Sequence, residues 1–282
     1  MTSTAAMRSE VRRSRLARSG LIALALGYVA LLLVAPVVGI VWSVIRGGIA
    51  EIGTTFARSD VIHAFYLTAI VAVQAVVITT VFGVIVAWVL ARDRFAGRSI
   101  MNAVVELPLA VSPVIVGLMA VLLFGRGGWF EPFLAARGIQ VIFAVPSMVL
   151  VTTFICIPFV IREVAPVLRE IGTNEEDAAR TLGASGFQTF VRVTLPNIRW
   201  GLLYGIALAT ARALGEIGAV LIVSGAIQGQ TETATLYVLR ALEERQEPSG
   251  FVVALALAAV SVAILGAIEI FKRNRERKEK TG

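Results

Sequence analysis

Apolar and polar residues come in long blocks along this chain: six runs, 21–45, 66–91, 103–124, 141–161, 201–223 and 251–271, hold few charges, and the segments between them carry most. A helix needs about 20 apolar residues to cross the hydrocarbon of a bilayer, and each run meets that length. The blocks predict an all-α integral membrane protein with six transmembrane helices and both termini on one side. They divide the chain into a tail 1–20, a first helix with its external loop at 21–61, a transmembrane core at 62–271 containing a long polar loop at 162–200, and a tail 272–282.

Composition agrees with this class, at 57% hydrophobic residues and a mean hydropathy of +0.83. Charge sets the orientation, because Lys and Arg accumulate on the cytoplasmic face of a membrane protein. Five basic residues lie in the N-terminal tail, three in 92–102, five in 162–200 and six in the C-terminal tail, against two in each of the loops 46–65, 125–140 and 224–250. Both termini and the loop 162–200 are therefore expected in the cytoplasm of a multi-pass plasma (inner) membrane protein. The pI near 10.3 then reflects topology and contact with membrane lipids, not nucleic acid. The first apolar run follows basic residues as a secretory signal would, but it extends for 25 residues without a convincing small-residue cleavage site and is expected to be a retained helix. Cys156, alone in the sequence, excludes an internal disulfide.

The centre of the polar loop reads Asp177-Ala178-Ala179-Arg180-Thr181-Leu182-Gly183, followed after nine residues by Val193-Thr194-Leu195-Pro196. Thr173 and Glu176 have capping-box spacing, and Glu175, Glu176 and Asp177 place negative charge where a helix dipole favours it. Gly183 is expected to end this short helix and Pro196 to open the next. Ala178, Ala179 and Leu182 would form one stripe that lets another protein approach the backbone closely. This order resembles the signature loop of ABC importer membrane subunits, Glu-Ala-Ala-xxx-Gly-x9-Ile-x-Leu-Pro, with Asp177 in place of the Glu and Val193 in place of the Ile. The resemblance implies a type I importer permease fold whose loop docks into a separate ATPase through Glu176, Asp177, Ala178, Ala179, Gly183, Leu195 and Pro196. Whether Glu176 or Asp177 makes the family's acidic contact is open.

Inside the fifth run, Arg212 and Glu216 stand four residues apart and so on one helix face. Each alone would cost about 3 kcal/mol at the centre of a membrane helix. The pair reads either as an internal lock between helices or as the border of a path for an anion, with Glu216 orienting Arg212; the locking role is favoured. In Leu107-Pro108-Leu109-Ala110-Val111-Ser112-Pro113 the Ser112 hydroxyl and the carbonyls freed by proline could face a polar route, although simple kink accommodation is the favoured reading. The acidic cluster Glu243, Glu244 and Glu247, with Arg240 and Arg245, reads as a solvated external face.

Four stretches, 107–117, 158–164, 194–201 and 211–225, together resemble the CysW-type permeases of sulfate/thiosulfate importers, with molybdate/tungstate permeases the next branch. The resemblance implies a homologous second permease subunit, two copies of an ABC ATPase carrying ATP and Mg, and an extracytoplasmic sulfate-binding protein. An ion-coupled secondary transporter is the remaining alternative, but its usual internal repeat would need a second copy of the loop or of the Arg212/Glu216 pair, and the sequence has neither. The chain also lacks a Gly-xxxx-Gly-Lys-Ser/Thr loop and a His pair, so no catalytic, cofactor or metal site is expected on it. The purified subunit alone should neither bind nor hydrolyse ATP, which equilibrium binding of radiolabelled ATP checks; stoichiometric binding would contradict the reading.

Overall fold

The computed structural model describes residues 3–279, and every regular element among them is helical. Residues 1–2 and 280–282, and most side chains of the two basic tails, lie outside the described residues, so the expectation built on the tail charges does too. By internal contacts the chain divides into two units, Met1–Gly53 and Thr54–Gly282. The first unit is helical and belongs to α1 (Ser3–Ala57), which leaves helical geometry at Gly48, φ 81° and ψ 166°. Its stretch Gly20–Gly48 is long and apolar enough to span a bilayer, and Arg46 lies 4.9 Å over the ring of Trp42.

In the second unit, α2 (Ser59–Arg92) is a single helix of 34 residues, followed by α3 (Arg98–Ala110), α4 (Pro113–Phe124), the short α5 (Glu131–Ala135) and α6 (Val145–Ile171). The polar loop holds α7 (Asn174–Thr181), α8 (Gly186–Thr189) and a π-helical turn, Phe190–Thr194. Then come α9 (Leu195–Leu214), α10 (Gly218–Ser224), α11 (Ala234–Glu243) and α12 (Glu247–Glu279).

Among the described residues four helices are long and apolar enough to cross a membrane unbroken, or up to six if each of two bent pairs counts as one span: α3 with α4 at 110°, and the helical path Gly186–Leu214 with α10 at 55°. Six spans were the expectation, with a kink in 107–113; the runs 103–124 and 201–223 are each cut in two. The cause is local chemistry. Pro113 opens α4 and holds the chain extended at Val111 and Ser112, because the residue before a proline avoids helical geometry. At Gly215 to Ile217 the second cut follows a glycine and is taken up by the Glu216 side chain. The fourth span also differs, since α6 continues to Ile171 and the loop starts ten residues later than its predicted boundary. Val164, Ala165 and Leu168 keep the buried stripe going past Arg162, and Gly172, at φ 70°, is the first residue that stops it.

Three of these helices, α2, α6 and α9, pack against one another around a core that includes Leu90, Val160, Val164, Leu168 and Ile198. A second cluster, with Val71, Met148, Val151, Val220 and Leu236, joins α2 and α6 to α4, α10 and α11. The two half-helices beyond the breaks, α4 and α10, meet at backbone distance. A Cβ on Gly117 would lie 2.8 Å from the carbonyl oxygen of Ala219, and one on Gly218 would lie 3.1 Å from Cβ of Pro113. The two breaks therefore sit side by side. Gly117→Leu is expected to force these half-helices apart and destabilise the protein by about 1–3 kcal/mol, whereas Gly266→Ala, where nothing lies within 4 Å, leaves stability unchanged or slightly raised. Thermal unfolding of the two variants in detergent checks this.

Candidate functional site

The polar loop is organised by one buried carboxylate. Glu176, only 4% exposed, accepts hydrogen bonds on Oε1 from Arg92 Nη2 and from the Thr194 hydroxyl, both at 2.9 Å. The expected capping box does not form: Thr173 makes no side-chain cap. A charge-assisted bond to a guanidinium is about twice as strong as one between neutral groups, so Glu176 turns to Arg92 instead of back to the backbone. A capping box occurs further on, between Ser185 and Gln188 at the start of α8.

With Glu176 inside, the outer side of α7 belongs to its neighbours. Asp177 is exposed and pairs with Arg180 at 3.1 Å, and Glu175 accepts a hydrogen bond from the Asn197 amide. Ala178 is exposed and Ala179 half-buried, while Leu182 is 89% exposed. Gly183 ends the turn at φ +89°, a conformation that strains any side chain with a Cβ. Leu195 is half-buried and Pro196 exposed in the first turn of α9, which continues a helical path begun at Gly186. Pro196 thus stands where a proline opens a helix, in the first two positions of α9. The sequence reading missed Phe187, 78% exposed, because a lone aromatic after the turn segment Gly183–Gly186 has no periodicity to mark it. Ala178, Leu182 and Phe187 give the loop an exposed apolar surface unlike an ordinary solvated connector.

Arg212 and Glu216 do pair, at 2.7 Å, although they lie across the end of α9 and not within one continuous helix. Glu216 is nearly inaccessible, and its Oε1 accepts from the backbone N–H of Ala219 at 2.8 Å, closing the open start of α10. Its own carbonyl accepts from the Thr235 hydroxyl at 2.8 Å. The carbonyls at the far end of α10 are likewise taken, Val223 by the Phe143 N–H and the Ser147 hydroxyl, Ser224 by the Thr231 hydroxyl. In a bilayer such ends must find partners inside the protein, and here they do. Arg212 remains partly exposed, at 29% of its side chain. Ser112 is exposed beside the other break and makes no cap bond.

A third charged group lies at the opposite end of α2 from the loop. Arg240 reaches Glu232 at 2.7 Å, Glu244 at 3.2 Å and Asp60 at 3.3 Å, and Asp60 also pairs with Arg58 at 3.0 Å. Both guanidiniums stack on Tyr237. The hydrogen bond to Glu232 holds Arg240 above the usual arginine range, against the opposing effect of burial. Of the run read from sequence as a solvated face, Glu243, Glu244, Arg245 and Glu247 are exposed and Arg240 alone turns inward; Glu232, 1% exposed, in the loop before α11 and Asp60 on α2 were missed as its partners.

The arrangement is one of an exposed apolar loop surface and internal ties. Residues 79–278 match the family described as the binding-protein-dependent transport system inner membrane component. The chain belongs to this family. The permease is 46% identical over 253 residues to the sulfate transport system permease protein CysW of Synechocystis sp., covering 90% of this chain and 92% of that one. It is 44% identical to the CysW protein of Synechococcus elongatus, over 87% of this chain and 86% of that one. Among solved structures, a bacterial ABC transporter involved in the import of the acidic polysaccharide alginate has a chain that superposes with a TM-score of 0.74 at 18% identity, covering 95% of the permease and 98% of that chain. That likeness is one of fold.

The geometry makes Glu216 the structural partner of the intramembrane pair. Arg212→Ala leaves a buried carboxylate uncompensated and should destabilise the permease by about 3 kcal/mol. Arg212→Ala combined with Glu216→Gln, which keeps an acceptor for Ala219, should recover most of that loss. Thermal unfolding and membrane yield of the two variants decide it; a double variant no better than the single contradicts the assignment.

Proposed function

We propose that this permease is one of two homologous membrane subunits of an ATP-driven importer that carries sulfate or thiosulfate into the cell. The observation that carries the substrate is the identity of 44–46% to CysW proteins over at least 86% of either chain. In this reading both termini and the polar loop face the cytoplasm, as the basic residues of the loops imply. Ala178, Ala179, Leu182 and Phe187 seat in a cleft of an ABC ATPase present in two copies, which holds the ATP and Mg. Asp177 stands at the rim of that contact, Gly183 gives it room, and Leu195 and Pro196 lead the chain back to the membrane. An extracytoplasmic binding protein delivers the anion to the opposite side. Affinity for the anion then resides mainly in the binding protein, and the permease supplies the path and the coupling.

The test is the complete complex in liposomes, assayed for ATP hydrolysis and uptake with each oxyanion and its binding protein. Sulfate or thiosulfate should stimulate hydrolysis, and molybdate should stimulate it less. Ala179→Glu or Gly183→Trp should leave the permease in the membrane while lowering uptake by at least about tenfold, since one buried unpaired charge or one overpacked side chain removes more than about 1.4 kcal/mol of docking energy. Normal uptake in both variants would make the loop a plain connector, and stimulation by molybdate alone would move the substrate to the neighbouring branch.

A further inference from the structure

Both hydrogen bonds to the Glu176 side chain come from outside α7, one from Arg92 and one from Thr194, while Arg180 of α7 stands 4.0 Å from its other oxygen. Arg92 is the last residue of α2, and its side chain is only 11% exposed. Its two terminal nitrogens go to two different elements: Nη1 donates to the carbonyl of Leu168 in the last turn of α6 at 2.7 Å, and Nη2 donates to Glu176 in the first turn of α7 at 2.9 Å. The Thr194 hydroxyl, from the π-helical turn that returns the chain to α9, fixes the same oxygen of Glu176. A guanidinium is a rigid planar fork that holds two acceptors at a set separation, which a lysine ammonium on its flexible stem does not do.

We infer that Arg92 is the positioning residue of the docking helix, the point through which α7 is held to the ends of α2 and α6 at once. The inference rests on the loop being the ATPase contact. A push on the outer face of α7 then reaches the membrane core through a buried ion pair and a carbonyl, both on unbroken helices, and not only through the chain connection at Gly172. The far end of α2 is fixed in the same way, by Asp60 to Arg240 of α11 at 3.3 Å. The unbroken helix between the two anchors is about 50 Å long at about 1.5 Å per residue. Arg92 thus connects the docking helix with a rod that ends beside α11.

The experiment compares the wild-type complex, Arg92→Lys and Arg92→Gln in liposomes with sulfate-loaded binding protein. It measures the amount of assembled complex and the number of sulfate ions taken up per ATP hydrolysed. Loss of fold alone lowers the first quantity; loss of positioning lowers the second in complexes that have assembled. Arg92→Gln should reduce uptake per ATP by roughly fivefold, and Arg92→Lys, which keeps the charge but gives up the fork, should lie between it and wild type. Wild-type coupling in both variants overturns the inference. So does an Arg92→Lys complex with the wild-type ratio when Arg92→Gln fails to assemble, because the residue is then only a counter-ion; a reduced ratio for Arg92→Lys in that case supports it. A wild-type complex that responds to another oxyanion and not to sulfate counts against the proposed substrate and leaves the comparison intact, with that oxyanion used for the ratio.

Discussion

Val160 of α6 meets glycines of two other helices at close range, and these glycines set the geometry around it. A Cβ on Gly83 of α2 would lie 2.8 Å from the Val160 side chain, and one on Gly205 of α9 would lie 3.0 Å from its Cα. Gly201, one turn earlier on α9, faces the carbonyl of Glu163 at 2.9 Å in the same sense. Helices in lipid gain nothing by hiding apolar surface from one another, so their association relies on close packing and on hydrogen bonds. Glycine supplies the first by bringing backbones together. The contact locks α2, α6 and α9 along their middle, and the places where the chain bends lie beyond it, at Val111–Ser112 and Gly215–Ile217.

Hydrogen bonds and ion pairs supply the second, and they follow one scheme at three levels. Glu176, Glu216 and Glu232 have side chains no more than 5% exposed, and each meets an arginine at 2.9 Å or less: Arg92, Arg212 and Arg240. A buried ion pair is weak evidence of stability, since desolvating both charges offsets much of their attraction. What these pairs do is fix relative position. Arg92 ties α2 to α6 and α7, Glu216 ties the end of α9 to the start of α10, and Arg240 ties α11 to the start of α2. Each carboxylate meets a guanidinium and, for Glu176 and Glu216, a second donor as well, so losing the arginine would leave the structure loosened at a specific joint.

How much of this the sequence disclosed depends on the range of the interaction. Arg212 and Glu216 were visible because a helical spacing of four puts them together, and the loop pattern was visible because its alanines and Gly183 are local. The all-helical membrane class followed from the apolar runs. The kink in 107–113 was visible from its prolines but its size was not, and the break at Gly215 was missed, since a run of apolar residues has the same hydropathy whether its backbone is straight or bent. The partner of Glu176 lies 84 positions away, so spacing gave the carboxylate a backbone cap that the folded chain replaces with Arg92. Asp60 was hidden for the same reason, its partner Arg240 lying 180 positions away, and Glu232 because a charge in a loop looks solvated until the helix beside it is placed.

The intramembrane pair was open between two roles, and its geometry shows that they constrain each other. Glu216 closes the start of α10 through Ala219 and holds Arg212 at 2.7 Å, so an anion passing Arg212 must compete with a carboxylate that is already desolvated and already in contact. Drawing the guanidinium away would leave that carboxylate uncompensated, a change worth several kcal/mol. Arg212 can therefore lend positive potential to its surroundings, being partly exposed, without becoming a tight ligand. On the proposed function this is the behaviour a permease requires, because a strong anion site midway would trap the cargo that the binding protein has already selected. The lock is what keeps the charge from becoming a trap, and so the structural role of Glu216 is also the condition under which Arg212 could serve a path.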